Sequence, residues 1–309
     1  MNKLDFYAYS YALLHNYKGI PFWILTPFRK IVRKVANRVL PNYLAKSYVD
    51  TGIKHSEIIV SFTSFPARID NVWQVVECML RQTIRPAKIL LWLSKDQFPT
   101  PESIPQSLRE REGEVFEIRL VNGDIRSHKK YYYVSKEYND SLVFLIDDDI
   151  YYPTTILERT IEAYHEHPEA VICNYGYLIA FNESGNLKPY NSWQMINQYS
   201  ESKNIFFGSG GGTLLRPSEL YKDLTEIEIA YALCPTADDI WLNAMVRLAR
   251  KRIIMLENGL ILPVQSKLNA TLASENKGQS MNDIQLDNII RHYSKQGFQL
   301  FNPSGSSFL

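Results

Sequence analysis

The sequence predicts an α/β fold, a mostly parallel sheet flanked by helices and preceded by a basic helical extension. Three observations carry the prediction. Past Lys54, short β-rich runs alternate with segments of helical periodicity, an order that lays strands side by side in parallel. Ser141-Leu-Val-Phe-Leu-Ile146 is apolar after its first residue, as a strand covered on both faces is. Charge is also split along the chain: residues 1–54 hold nine Lys or Arg against two acids, so +7 there leaves −6 for the other 255 residues within a net charge of +1.

The elements follow in order. Within the extension, residues 28–40 set Phe28, Ile31, Val32, Val35 and Val39 on one helical stripe, with Arg29, Lys30, Arg33, Lys34 and Arg38 largely elsewhere. Together with the ten aromatics of the segment, Phe22 and Trp23 among them, this basic amphipathic helix predicts attachment of residues 1–54 to an anionic membrane surface. A helix packed on the main domain with a solvated basic face is the competing reading. No secretory signal is expected, since Asp5 lies upstream and no small-residue cleavage site follows the apolar stretch.

Ile58–Phe62 reads as a strand, Asn71–Gln82 as a helix, Lys88–Leu93 and Val115–Val121 as further strands. A helix over Lys129–Tyr138, the Ser141–Ile146 strand, a helix opened by Pro153 and a strand over Ala170–Asn174 continue the alternation. The expected divisions are an extension over 1–54, a main domain over 55–265 and a polar, partly helical segment over 266–309. That last segment, with Asn276, Lys277, Asn282, Asp283 and Gln285, is either a lid over the site or a plain terminal helix.

Composition narrows the function. Hydrophobic residues at 45% and charged residues at 22% describe an ordinary globular chain and exclude a disordered or disulfide-built one. No run approaches the ~18 apolar residues of a membrane-spanning helix. Cys78, Cys173 and Cys234 are widely spaced without a CxxC pair, which argues against zinc and for a reducing, cytoplasmic setting. Nucleic-acid binding is not expected, because the basic excess is confined to the first 54 residues.

Chemistry collects at strand ends. In an open α/β sheet the ligand sits outside the carboxyl ends of the strands, where Asp147-Asp148-Asp149 stands. Three neighbouring carboxylates repel one another unless a cation or donors neutralise them, which points to a divalent metal; oxygen ligands favour Mg²⁺ or Mn²⁺. A polar loop capping the strand is the bland alternative. Thr63 to Arg68 follows the first strand and Asn122 to Lys130 the third, so Arg68, Arg126, Lys129 and Lys130 are candidates for a pyrophosphate and Asp124 for a base or ribose hydroxyl. Gly208-Ser-Gly-Gly-Gly212 places four glycines in five positions before a strand, allowing positive φ and close backbone approach to a ligand. In Cys234-Pro-Thr-Ala-Asp-Asp-Ile-Trp241, Thr236 reads as the N-cap of a helix running to about Lys251, so Asp239 has a purely structural capping-box alternative.

In this conjunction and order, residues 56–262 resemble bacterial glycosyltransferases of the GT-A (Rossmann-like) fold, near the family-2-like enzymes of capsule and lipopolysaccharide synthesis. The resemblance rests on residues 61–68, 124–130, 146–153, 208–212 and 237–241. It implies a hexosyltransferase-like enzyme, metal-dependent, that takes a nucleotide-diphosphate sugar as donor and a glycan or lipid-linked glycan as acceptor, at the inner face of the cell membrane; the family divides into base-catalysed inverting enzymes and retaining ones, and inversion is the expectation taken here. Asp149 and Asp147 would be the metal ligands, and Thr63, Arg68, Asp124, Arg126, Lys129, Asp147, Asp148, Gly210 and Gly211 the donor site. Asp239, with Asp238 as neighbour and alternative, would be the general base, and Trp193, Gly211, Gly212 and Trp241 the acceptor side. The chain departs from the family pattern in lacking an acid after its second strand, where Leu91-Trp-Leu-Ser-Lys95 stands, and in carrying Asp-Asp where Glu-Asp is usual. A metal-dependent nucleotidyltransferase or hydrolase uses the same metal and phosphate groups. A catalytically silent glycan-binding module would instead use Tyr190 and Trp193 as stacking platforms.

Overall fold

The computed structural model describes residues 1–16, 20, 22–46, 54–196, 198–257, 261–265 and 281–301. Its centre is an eight-stranded sheet of β1 (Ile59–Thr63), β2 (Lys88–Ser94), β3 (Phe116–Val121), β4 (Val143–Ile146), β5 (Val171–Cys173), β6 (Ser200–Glu201), β7 (Gly211–Leu215) and β8 (Ile253–Met255). Their spatial order is β6-β8-β5-β7-β4-β1-β2-β3. The pairings β4-β1, β1-β2, β2-β3 and β5-β8 are parallel. By contrast, β7 runs antiparallel to both β4 and β5, and β6 to β8. The sheet is therefore mixed, with a reversed strand at its centre.

Why the strands are so apolar is visible in how they divide between two cores. Val60 and Phe62 of β1, Ile89, Leu91 and Leu93 of β2, and Phe144 and Ile146 of β4 face one core. Ile59, Leu90, Trp92, Val143 and Leu145 face the other. This is the period-2 alternation of a pleated strand with both faces covered, each fully buried large side chain contributing about 1.5–3 kcal/mol.

On the first face lie α1 (Lys3–Asn16), α2 (Phe22–Leu44), α3 (Ile69–Leu80) and α5 (Ile156–Glu166), and on the second α4 (Lys129–Glu137), α6 (Ile227–Leu233), α7 (Asp238–Leu248) and α8 (Met281–Ser294). The two described helices of the extension bury one set of their side chains against the domain. Leu4, Ala8 and Ala12 of α1 and Leu25, Ala36, Leu40 and Leu44 of α2 are buried. Asp5 accepts from the Thr154 N–H at 2.7 Å and from its hydroxyl at 2.8 Å, fixing α1 near the start of α5. No helix among the described residues is long and apolar enough to cross a membrane.

A separate antiparallel sheet of Gly176–Leu178, Gln194–Met195 and Ile205–Phe207 sits beside the main one. It brings an aromatic cluster of Tyr175, Tyr177, Tyr190, Trp193 and Phe206 to the second face.

A candidate active site at the carboxyl edge of the sheet

Because β1 to β4 are parallel, the segments that follow them open on one edge. Reversed β7 starts where β4 ends, with Gly211 in register with Ile146, so the glycine loop meets the acid triplet. The amino terminus of α7 brings Asp238 and Asp239 to the same place. The result is a cavity of about 570 Å³ lined by Thr63, Arg68, Asp124, Arg126, Lys129, Asp147, Asp148, Asp149, Asp238 and Asp239, all expected from sequence. Gly210 and Gly211 line an adjoining recess shared with Asp147, Asp149 and Asp239.

The acids are tied down by internal cations. Arg68 donates to Asp148 at 2.8 Å and pairs with Asp149 at 2.9 Å, while Ser64 Oγ donates to Asp148 at 2.6 Å. Lys130, nearly buried, reaches Asp147 at 2.7 Å, Asp238 at 2.9 Å and Ser209 Oγ at 3.0 Å. Burial opposes the Lys130 charge, yet Asp147, Asp238 and Asp239 hold its pKa well above the usual lysine range. Burial likewise opposes ionisation of Asp238, but Lys130 and His128 keep its carboxyl below the usual value.

Asp239 and Asp149 behave differently. Burial, then the charge of Asp238, pushes the Asp239 carboxyl up to about 7. Burial, then the charge of Asp148, does the same to Asp149, also to about 7. Oδ1 of Asp239 accepts both the Ser209 N–H at 2.8 Å and its hydroxyl at 2.5 Å. Helix α7 begins at Asp238 with Ala237 at its N-cap and no side-chain cap, and Thr236 is turned to Gln285 Oε1 at 3.0 and 3.1 Å. The capping-box alternative for Asp239 is thereby removed.

The glycine loop has a cause the sequence did not show. A Cβ on Gly210 would lie 1.8 Å from Asp147 Oδ2, and one on Gly211 2.2 Å from Tyr175 Cβ. These glycines make room for protein side chains. Tyr152, buried, accepts the Asp147 N–H at 2.8 Å and donates to the Gly210 carbonyl, joining triplet and loop.

Several expected residues are placed differently. Gly212, with φ +97°, would direct a Cβ into Phe144 at 2.7 Å and so belongs to the core. Trp241 is fully buried and spends its indole N–H on the Leu224 carbonyl at 3.0 Å. Trp193 is 5% exposed and donates to the Lys188 carbonyl. None of the three lines the cavity, so an acceptor role for them has no surface to act through. On the other side of the cavity, Lys129 pairs with Asp124, which also accepts from Gln97 at 2.8 Å and from the Arg126 N–H at 3.0 Å. Burial lowers the Lys129 pKa against the pull of Asp124. The loop holding this pair is tight, with Gly123 at φ +72° and Arg126 at +51°, an uncommon conformation for a side-chain-bearing residue.

Ser64 and Ser209, inside the segments singled out from sequence but not themselves named there, take part as well, Ser64 in the lining and Ser209 in orienting Asp239, and Asn282 of the terminal segment lines the cavity; Gln97, Tyr175 and Tyr177 line it without a motif to announce them. The Tyr-x-Tyr alternation at 175–177 was the available signal, since it puts two aromatics on one side of an extended segment. Asn276 and Lys277 lie outside the described residues. Asn282 reaches the cavity, and Asp283 accepts from the Tyr190 N–H at 2.7 Å.

A divalent cation fits this donor set in a specific sense. Among the described residues no three His, Cys, Asp or Glu side chains converge as a ready-made cluster. Mg²⁺ or Mn²⁺ beside a phosphate needs only one or two protein carboxylates, with substrate oxygens and water completing the shell. Six Asp and four Lys or Arg side chains line the cavity, an excess of acids that favours a bound cation.

No family model matches the chain, and no curated protein does. Among solved structures, a mannosyltransferase from Pyrobaculum calidifontis in complex with GDP-Man and Mn²⁺ is similar, at 10% identity and a TM-score of 0.48, over 98% of this chain and 79% of that one. The CMP:2-keto-3-deoxy-manno-octonic acid synthetase complexed with CTP is similar at 12% and 0.39, over 74% and 98%. A UDP-glucose pyrophosphorylase is similar at 11% and 0.37, over 79% and 99%. Likenesses of this order fix no activity for the chain.

Proposed function

We propose that the protein is a metal-dependent glycosyltransferase that moves a sugar from a nucleotide-diphosphate donor to a glycan or lipid-linked glycan acceptor in surface polysaccharide synthesis, with inversion. The observation that carries the reading is the meeting of Asp147–Asp149 and Asp239 across one cavity, with Asp239 a carboxyl at about 7. A base acting on an acceptor hydroxyl near neutral pH works best with such a pKa. Ser209 holds Oδ1, which leaves Oδ2 to take the proton as the sugar–phosphate bond breaks. Asp149 and Asp147 would hold the divalent cation, which supplies charge neutralisation for the leaving diphosphate. Arg68 and Lys129, held at their acid partners, would face the nucleotide end of the donor with Thr63, Asp124 and Arg126. Tyr175, Tyr177 and Tyr190 would give the acceptor an aromatic wall beside Asp239. Location at the inner membrane face goes with a lipid-linked acceptor.

The test is a screen of nucleotide sugars with and without Mn²⁺, each with and without added glycan. Metal-dependent turnover that rises with acceptor and yields a glycoside supports transfer. Turnover indifferent to acceptor, or nucleotide exchange with pyrophosphate, would assign the cavity to a hydrolase or nucleotidyltransferase instead.

A further inference from the structure

Helix α2 has two apolar faces, and the fold uses one. Leu25, Ala36, Leu40 and Leu44 are buried, whereas Ile24, Phe28, Ile31 and Val35 are exposed, Phe28 at 56% and Ile31 at 60%. Their spacing of four, three and four aligns them in one row along about 16 Å of helix. Trp23, 74% exposed, adjoins the row at its start. Soluble proteins rarely leave such a row to water without a use for it.

Charge on the same helix has one sign. Residues 22–44 contain five Lys or Arg and no Asp or Glu. Arg29 is engaged over the Tyr11 ring at 4.2 Å, but Lys30, Arg33, Lys34 and Arg38 are exposed. At 100° per residue Lys34 and Arg38 border the apolar row and Lys30 stands one step beyond. A second copy meeting this face across a two-fold axis would set these cations against their equivalents, whereas an anionic lipid surface neutralises them.

We propose that this face of α2 docks the protein on a bilayer bearing anionic headgroups, with Phe28, Ile31 and Val35 entering the interface and Lys30, Lys34 and Arg38 meeting lipid phosphates. The proposal names the surface behind the membrane location given above, rests on that reading only for the acceptor's location, and stands without the transfer chemistry. Docking would also orient the cavity. Asn37 of α2 donates to the Pro263 carbonyl at 3.0 Å and accepts from the Gln265 N–H at 2.5 Å. Pro263 pairs in turn with Ile150, directly after the acid triplet.

The experiment is co-sedimentation of the full chain with vesicles of phosphatidylcholine alone or with added phosphatidylglycerol, at two salt concentrations. Binding should require the anionic lipid and weaken with salt. Ile31→Glu should lose at least tenfold in binding, and Lys30→Gln or Lys34→Gln about fivefold each. Thermal melting and donor turnover of these variants should match wild type, with Phe28→Glu as a second probe if Ile31→Glu melts early. Failure of wild type to bind the anionic vesicles, or equal binding by both face variants, overturns the proposal. So does a wild-type dimer in sedimentation equilibrium that Ile31→Glu dissociates, since the face then belongs to a second copy. Lost vesicle binding with intact donor turnover would remove the attachment alone; lost turnover with intact binding would remove the enzymatic reading alone.

Discussion

Ser209 donates twice to one oxygen of Asp239, through its backbone N–H at 2.8 Å and its hydroxyl at 2.5 Å. The contact lowers the Asp239 pKa while burial and Asp238 raise it to about 7. If Asp239 is the base, transfer kcat/KM should rise with pH through about 7 and level off above, because the ionised form is the active one. Ser209→Ala removes one stabilising donor, so its rising limb should move to higher pH. Asp239→Asn should keep the fold and donor binding and lose orders of magnitude in transfer at every pH. A pH profile unchanged in Ser209→Ala, with near-normal kcat in Asp239→Asn, would take the base role from this residue.

Gly210 and Gly212 differ in what a methyl group would strike. At Gly210 the added Cβ meets the Asp147 carboxylate, and at Gly212 it meets Phe144 in the core on a backbone with φ +97°. Gly210→Ala should therefore displace Asp147, raising the Mn²⁺ concentration needed for turnover at least tenfold with a modest change in stability. Gly212→Ala should cost about 1–3 kcal/mol, read as an earlier melting transition, with any active fraction showing the wild-type Mn²⁺ dependence. Equal Mn²⁺ dependence in both variants would mean that Asp147 does not serve the metal.

The aromatic wall offers a test of the acceptor side. Tyr175 and Tyr177 are hydrogen-bonded through their hydroxyls and line the cavity, whereas Trp193 is shielded behind Tyr190 and Phe206. Tyr177→Ala should raise the acceptor KM about tenfold while leaving the donor KM alone. Trp193→Phe should leave both constants in place and lose only stability. Initial rates with acceptor varied at saturating donor distinguish these outcomes.

Much of the succession of strands and helices along the chain was legible because it is written in local periodicity. Segments such as Lys88–Ser94 and Val143–Ile146 are apolar on both sides, which only a doubly covered strand needs, and their limits fall within a few residues of those read from the sequence. The polar residues at the ends of parallel strands were legible for the same reason, since strand direction fixes which ends meet. What was not legible depends on long-range pairing. The reversal of β7 is a choice between neighbours far apart in sequence. The loop entering that reversed strand is what brings Ser209 onto Asp239, and the pairing of Thr236 with Gln285, 49 residues on, is what removes the cap that the Thr236 spacing implied. Trp193 and Trp241 misled because a tryptophan's composition says nothing of which side of a cluster it occupies, and both have their indole N–H satisfied inside the protein.

Lys130 is the residue on which the two halves of the site depend together. It lies at 4% exposure with Asp147 Oδ1 at 2.7 Å on one side and Asp238 Oδ2 at 2.9 Å on the other. Lys130→Met keeps the volume of the stem and removes the charge, leaving two carboxylates facing each other without a counter-ion. Breaking the buried pair with Asp238 costs about 3–5 kcal/mol, because that carboxylate has lost its water as well as its partner, whereas Asp147, 42% exposed, stays solvated. For a chain of this size that corresponds to a fall in Tm of roughly 5–10 °C. Two controls separate this electrostatic cause from lost packing. Adding Asp238→Asn to Lys130→Met removes one of the stranded charges, so the double variant should melt above Lys130→Met, and the cycle should show a coupling of about 0.5–3 kcal/mol. Mn²⁺ should raise the Tm of Lys130→Met by more than it raises that of wild type, because a cation at Asp147 replaces the missing ammonium. A Lys130→Met protein that melts like wild type, or one whose loss neither Asp238→Asn nor Mn²⁺ relieves, would show that Lys130 is a packing residue and that the acids are held apart by something else.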